Sequence, residues 1–489
     1  MLLFLLFAVS VTSSASAFNT TRRLVGSNSD CGKGSRIRKS WTELTSSEIE
    51  LYISAVERAI ELGFHQEMVK LHVGTRNDLE AHFTCGFTLW HRRYLMGYEN
   101  MLRSLGDQYA CITIPFWDIM KDFSKRSSGT CSNLLDCSPI LTDIGGSQGP
   151  SQTRTYSGET QSGNCFSGRP FVNYADDNGN IGCMPRSNLQ NKQPPSDASY
   201  SVLFNLITRQ KTYQGFTSQL EDGIHNRIHT LVSGFMVSLA APADLLFYSW
   251  HSTIDMLHST WHECHVAPLK TRSEKTSTWG FNAGECRRST GNRNVNLEMG
   301  NIRVYDPIFM QSDGVNVNDH TVLGDFFSDV GATYLDFVDH RDLGDYTYGY
   351  QIPGAFREIL SEKTLCPAFK DELPHDADEP LVYWEWYQKT KTKLGLVENS
   401  TPASVLQQLE YLDCLGIDES FGVVDDLGSE SIEGPRLAKP QCASVLEEGS
   451  NGSVKVDKEG IPRWQAGSSG NILRSSWWIG TLVLFFVVL

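Results

Sequence analysis

The sequence lacks a long basic run, a repeated C-x-x-C pair and an internal repeat. Without a basic run, and with 42 basic against 57 acidic residues for a net charge of -15, nucleic acid is excluded as the expected partner. Without a repeated pair, the twelve scattered cysteines read as disulfide partners in an oxidising compartment. The C-terminal apolar run, WWIGTLVLFFVVL, has 13 residues, short of the ~20 a membrane-spanning helix needs. What is present is bulk: 489 residues, 40% of them apolar and 11% aromatic, are enough for one large catalytic domain with an extension, or for two domains.

Residues 1–17 pair an apolar run, Leu2 to Val9, with a small-residue end at Ala15-Ser16-Ala17, although a charged leading region is missing. They read as a secretory signal peptide. Three N-x-S/T triplets, at Asn19, Asn399 and Asn451, agree with export. Cys131 with Cys137, and Cys165 with Cys183, bracket short loop-like stretches and are the first candidates for local bridges. At the other end, small residues from Gly467 to Gly470 precede a polar spacer and the apolar tail, the order of a GPI-attachment signal. An extracellular or outer-surface location is expected, with a lipid anchor as membrane tether.

Thr45-Ser46-Ser47-Glu48 has the form of a capping box, and Ile49, Ile53, Val56 and Ile60 recur at helical spacing, predicting a helix to about Leu62. A shorter helix is expected from His65 to His72, ended by Gly74. A polar loop and then a helix over Trp90 to Leu105 come next. Cys111 to Phe116 reads as extended, and residues 121–199, rich in Gly, Ser, Asn, Asp and Pro, as a long disulfide-pinned loop region with little regular structure. Helical text returns at 201–207, 223–232 and 243–265, then short strands among residues 301–350. Beyond Pro353, residues 381–394 and 403–415 look helical, and 428–470 reads as a flexible stalk. The organisation expected is a catalytic domain over 18–354, a helical extension over 355–427, the stalk, and the apolar tail over 471–489.

Thirteen histidines carry the functional signal. His225 and His229, four apart on a helix, present both imidazoles on one face and can meet one metal. A lone H-x-x-x-H is more often a pair of surface or capping histidines, and a zinc protease would need Glu where Asn226 stands. His251 lies 22 residues further on, with Asp255 one turn later in position to support it. His82 and His91 bracket Phe83-Thr84-Cys85-Gly86-Phe87-Thr88-Leu89-Trp90. Six histidines converging from several helices would make two all-imidazole sites, a donor set that suits copper and leaves positions open for dioxygen.

These segments resemble the two copper motifs of the tyrosinase, catechol oxidase and hemocyanin family. The first motif is matched by His82 to His91 followed by Arg92-Arg93-Tyr94-Leu95, with Ile114-Pro115-Phe116-Trp117-Asp118 downstream. The second is matched by Leu220-Glu221, His225-Asn226-Arg227-Ile228-His229, and Asp244-Leu245-Leu246-Phe247 through His251 and Asp255. The likeness runs roughly from Arg38 to Tyr350. Leu89 and Leu245 stand where the family has Pro, and Trp250-His251 replaces its doubled histidine. Glu80 and Ala81 before His82 leave no cysteine for the Cys-His thioether that some members carry, and Cys85 is assigned to a disulfide, with Cys111 as candidate partner.

The resemblance implies a mainly α fold: a four-helix bundle around a dicopper centre, with long disulfide-pinned loops and a partly helical C-terminal extension. It implies two copper ions held by His72, His82, His91, His225, His229 and His251, with His65 as the alternative to His72. His258, His262 and His265 match no ligand position and read as packing or surface groups, and His320, His340 and His375 as ordinary histidines. Arg38 and Tyr346-Thr347-Tyr348 resemble the Arg and Tyr-x-Tyr that flank the family's catalytic domain. The activity implied is a copper-dependent monophenol monooxygenase and o-diphenol oxidase acting on a phenolic small molecule with dioxygen. Glu221 and Asn226 would hold the water that takes the phenol's proton, against the plainer reading of Glu221 as a surface charge at a helix start. A catechol oxidase without monophenol activity, a hemocyanin-like dioxygen carrier, and a copper-poor structural protein are the alternatives.

Overall fold

The computed structural model describes residues 31, 36–127, 130–269, 271, 273–274, 302–352, 357 and 366, and two short strands at 454–456 and 462–464. Strand β1 (Arg36–Arg38) leads to helix α1 (Ser46–Glu61), where Thr45 and Glu48 close the expected capping box. Helix α2 (Phe64–Val73) ends at Gly74, and α3 (Thr75–Ala81) begins immediately after it. Helix α4 (Phe87–Ser104) is buried on every side to Arg103. Such a helix needs partners for its polar residues. Arg93 donates to the Ile308 carbonyl, Asn100 to that of Phe326, and Glu99 accepts from Arg36 and Arg38. Gly97 on α4 is required by packing, because a Cβ there would overlap the Phe327 ring.

The sequence places a polar loop where α3 forms. Its polar residues Asn77, Asp78 and Glu80 are buried, because strand-like backbone from the far end of the domain docks on them. Asn77 exchanges hydrogen bonds with the backbone of Gln311, and Glu80 accepts from the Phe309 N–H and the Tyr334 hydroxyl. Polar residues made internal by tertiary partners carry no amphipathic pattern.

Residues 121–199 are also more ordered than their composition suggests. Helix α5 (Ile119–Ser127) and the single turns α6 (Leu134–Cys137) and α7 (Pro139–Asp143) precede a three-stranded antiparallel sheet. Its strands are β2 (Gln148–Tyr156), β3 (Glu159–Phe166) and β4 (Met184–Arg186), and Ser157-Gly158, both at positive φ, form the hairpin turn. The expected bridges Cys131–Cys137 and Cys165–Cys183 are present. Cys111 pairs with Cys31 rather than Cys85, which is bonded elsewhere, and Cys264 pairs with Cys366.

Helices α8 (Tyr200–Arg209) and α9 (Tyr213–Leu220) run into a π-helical turn, Glu221–His225, that continues as α10 (Asn226–Val232). The long helix α11 (Leu246–His265) completes the set. Helices α2, α4, α10 and α11 are the four of the bundle. Beyond them, β5 (Gln311–Ser312) and β6 (Val315–Asn316) form a small hairpin, and β7 (Tyr348–Tyr350) pairs in parallel with β1. An antiparallel pair, β8 (Val454–Val456) with β9 (Pro462–Trp464), lies within the stretch read as a stalk. The leader, the three glycosylation triplets, residues 381–394 and 403–415, His375 and the apolar tail fall outside the described residues. Among the described residues no helix is long and apolar enough to cross a membrane.

The Arg and paired tyrosines expected at the domain ends meet on Asp255, but the pair is Tyr348 and Tyr350. Alternation along β7 sends these two to one face. Tyr346 instead lies under the Arg36 guanidinium. The Asp255 carboxylate accepts from Arg92 at 2.6 Å, Arg38 at 3.2 Å, the Tyr350 hydroxyl at 2.6 Å and the Tyr348 hydroxyl. Burial alone would raise this carboxyl, yet Arg92 and Arg38 hold it below its ordinary value. Removing one member of a buried ion pair strands the other, at a cost of about 3–5 kcal/mol. Asp255→Asn is therefore expected to lower unfolding stability by about that amount in chemical denaturation, whereas Lys39→Ala, which opens the exposed pair with Glu48, should change it by less than about 1 kcal/mol.

Candidate metal centre

Six histidines converge in two groups of three. The potential ligand atoms of His72, His82 and His91 lie within 4.8 Å of one another, and so do those of His225, His229 and His251. His72 comes from the last turn of α2, His82 caps α3, and His91 lies on α4. His225 ends the π turn, His229 comes one turn later on α10, and His251 lies on α11. A π turn adds a residue to the helix and re-aims the side chains after it. The two groups face each other: the His91 and His251 rings stack at 4.2 Å between centroids, inclined by 19°. Phe247 packs on His251 at 4.1 Å and Phe87 on His225 at 4.7 Å, walling the centre with apolar rings.

The hydrogen bonds behind the rings determine which nitrogen faces inward. Nδ1 of His72 donates to the Leu239 carbonyl at 2.7 Å, that of His82 to Asp78 at 3.0 Å and that of His91 to the Phe87 carbonyl at 2.9 Å. His225 Nδ1 donates to the Asn226 side-chain oxygen at 3.1 Å, and His229 Nδ1 to the Met236 carbonyl. A neutral ring that donates from Nδ1 offers its Nε2 lone pair. Nε2 of His72 and of His91 are buried with no hydrogen-bond partner, while those of His225 and His229 lie 3.4 and 3.3 Å from His251 Nε2. Buried lone pairs pointing at one another repel, and a cation between them removes the conflict. The donor set therefore fits a pair of metal ions.

Asp255 does not support His251 as its spacing suggested. Its carboxylate is committed to Arg92, Arg38 and the two tyrosines, and His251 Nδ1 finds no partner among the described residues. Packing against Phe247 and His91 orients that ring instead. Trp250, beside it, is buried against Trp117. His65, the alternative to His72, lies outside both groups. Its Nδ1 meets the Tyr98 hydroxyl at 3.0 Å, its Nε2 approaches the Ala243 carbonyl, and three tyrosine rings surround it. His258 and His262 are buried on α11 away from the centre, the former among Tyr213, Phe216 and Trp261, and His265 meets the Ile207 carbonyl.

Glu67, Asp313 and His320 form a third cluster of metal-ligand type. His320 Nδ1 accepts from the N–H groups of Val322 and Leu323, so its other nitrogen carries the proton and has no lone pair for an ion. His340 is buried against the rings of Tyr348 and Tyr350.

Glu221 is buried, not a surface charge: its carboxyl accepts from the Phe83 N–H at 2.7 Å. Burial, with Asp222 and Asp78 near, pushes its pKa well above the ordinary carboxyl range. Asp78 and the carbonyls of Leu239, Phe87 and Met236 are supporting groups that the reading of the sequence missed. For Asp78 and Phe87 a signal existed, because each stands four residues before its histidine on a helix.

Residues 62–264 match the family model for the common central domain of tyrosinase, a stretch that contains all six histidines. Over this stretch the chain is similar to the tyrosinase family of type-3 copper proteins. It is 27% identical over 256 residues to the tyrosinase-like protein phomQ1' of Diaporthe leptostromiformis, a match that covers 46% of this chain and 63% of that protein. It is 26% identical over 239 residues to a tyrosinase of Streptomyces antibioticus, covering 47% of this chain and 84% of that one. Among solved structures, a polyphenol oxidase from Thermothelomyces thermophila aligns over 65% of this chain and 88% of its own, with 18% identity and a TM-score of 0.40.

Burial keeps His72, His91, His225, His229 and His251 neutral. It holds His72 down at about 3 and His229 at about 4, and His91, His225 and His251 well below the ordinary value, with neighbouring imidazoles adding to the effect in all five. His65 is likewise held at about 4 by burial. An unfolded histidine takes up its proton near pH 6.5, whereas these stay neutral in the native state. Metal-free protein is thus expected to lose stability as pH falls from about 6.5 to about 4, by up to roughly 1.4 kcal/mol per pH unit for each such histidine. Denaturation midpoints at pH 7, 6 and 5 check this; a flat profile would contradict the buried neutral state.

Proposed function

We propose that the protein is a type-3 copper phenol oxidase that hydroxylates monophenols and oxidises o-diphenols to o-quinones with dioxygen. The observation that carries this reading is the convergence of two histidine triads whose Nδ1 protons are turned outward in five of six rings. Two copper ions held by His72, His82 and His91 and by His225, His229 and His251 would supply the reduction of dioxygen. In balance, a monophenol and one dioxygen yield an o-quinone and one water. Four disulfides among the described residues support export to an oxidising compartment, and attachment by a lipid anchor stays a reading of the tail's sequence.

The chain's own residues handle the proton. A phenol with a pKa of about 10 must be deprotonated before its oxygen can bind a metal. Glu221 is a suitable acceptor, since burial makes its carboxylate more basic than an exposed one, and through the Phe83 N–H it abuts the His82 turn. Asn226 accepts from His225 Nδ1, so it orients that ring as well as standing where water would be held. Phe87 and Phe247 keep the centre apolar and limit water to that side.

Copper content separates the ligand choices. His72→Ala is expected to halve the copper bound per chain, and His65→Ala to leave it at two. The reverse pattern would reassign the ligand. Turnover of L-tyrosine and L-dopa tests the proton-accepting role in the same preparations. Glu221→Gln should lower tyrosine hydroxylation about 100-fold or more, the range of a lost general base, with dopa oxidation and copper content retained. Equal loss on both substrates would remove Glu221 from the proton path.

A further inference from the structure

We infer that Phe83 is a specificity-determining residue, the aromatic platform on which the ring of a phenolic substrate stacks at the mouth of the metal centre. This rests on the phenol oxidase reading above.

The mouth is located by exposure. Of the six histidines, His82 and His229 are partly open to solvent, one from each triad, while the other four are buried. Phe83 directly follows His82 and is 52% exposed, among the few large apolar side chains left in water. Its backbone adopts φ +56°, a left-handed conformation that a bulky residue rarely takes. Strain of this kind persists where the surroundings impose it, and it gathers at functional sites.

The surroundings of Phe83 do impose it. The His82 N–H is held by the Asp78 carbonyl, the Phe83 N–H by Glu221, and the Thr84 hydroxyl by the Glu80 carbonyl. Cys85 adds a disulfide. The backbone is thus fixed on both sides of a residue whose ring packs little against the protein. Glycine would fill the left-handed position without strain, and a polar residue would suit water better. An exposed phenylalanine there contributes neither core nor turn. It does present a flat apolar surface, rigidly placed one residue from a copper ligand and hydrogen-bonded to the proposed proton acceptor. A phenol approaching with its hydroxyl toward the centre leaves its ring at that height, and offset stacking between two rings is the contact available.

The test uses copper-loaded full-length protein with three non-oxidised probes: acetate, benzoate and 2-naphthoate. Each offers a carboxylate to the centre, with no ring, one ring or two. In Phe83→Ala and Phe83→Gly, Kd is expected to rise roughly 3- to 10-fold for benzoate and more for 2-naphthoate, the range of an aromatic contact, with acetate unchanged. Phe83→Trp should restore or tighten ring binding. For dopa the same variants should raise KM and leave kcat within about twofold. Unchanged benzoate and naphthoate binding overturns the inference, and so does an equal weakening of all three probes, which marks a merely structural role. A wild-type protein that binds copper but oxidises no phenol defeats the oxidase reading alone, because the ring-dependent binding series still decides the role of Phe83.

Discussion

The carboxylate of Asp255 is the constraint on which the centre's geometry depends. It lies one turn after His251 on α11, and Arg92, its partner, directly follows His91 on α4. Their ion pair therefore locks the two helices at the level where rings from opposite triads stack. Arg38, Tyr348 and Tyr350 bring the first and last strands of the domain onto the same carboxylate. Glu99 extends the network from Arg38 to Arg36. A purely apolar contact between α4 and α11 could slide by a fraction of a turn with little penalty, but a buried, fully hydrogen-bonded carboxylate cannot. Two metal ions held by different helices would need that kind of register.

The second constraint is the burial of neutral imidazoles. Each ring brings two polar nitrogens into an apolar interior, and the fold satisfies the outward one in five cases, three times with a backbone carbonyl and twice with a side-chain oxygen. Local helix geometry supplies Phe87 and Asp78. Distant backbone supplies Leu239 and Met236, which lie on the connection between α10 and α11. That connection is shaped by Gly234, where a Cβ would collide with the Pro185 carbonyl of β4. The sheet made by the polar middle segment is thus part of the scaffold for His229. Its buried strand β4 contributes by placing one backbone turn.

The features legible in the sequence are the local ones. The α1 capping box, the helical runs and the order of the six histidines depend on spacing along the chain, and within the described residues the structure shows those elements close to where spacing put them. The choice of His72 over His65 rests on motif likeness; in the folded chain His65 has both nitrogens directed at protein partners and a cage of tyrosines, whereas the Nε2 of His72 is buried without a partner. Helix α3, the β2–β3 hairpin and the Tyr348–Tyr350 pair were missed or displaced because their determinants are distant in sequence. Asn77 and Glu80 are internal only because residues 309–311 cover them. The tyrosine pair is defined by its register against β1, and a shift of two residues along an alternating strand keeps the pattern while changing the partners.

The distribution of order around the centre bears on how such a protein could accept different phenols. The inner walls, His91, His251, Phe87 and Phe247, are held by ring packing and by the Asp255 network, so in the proposed oxidase they would set the position of the reacting oxygen. The outer edge is built differently. It combines two partly open histidines, a left-handed Phe83 and a second non-glycine residue at positive φ, Ser233, beside the turn that anchors His229. Substitution of Phe83 at that edge changes a side chain in water and removes none of the side-chain hydrogen bonds behind the histidines. A centre whose chemistry is fixed from behind and whose entrance is carried by exposed turn residues can change ring preference without rebuilding the metal site.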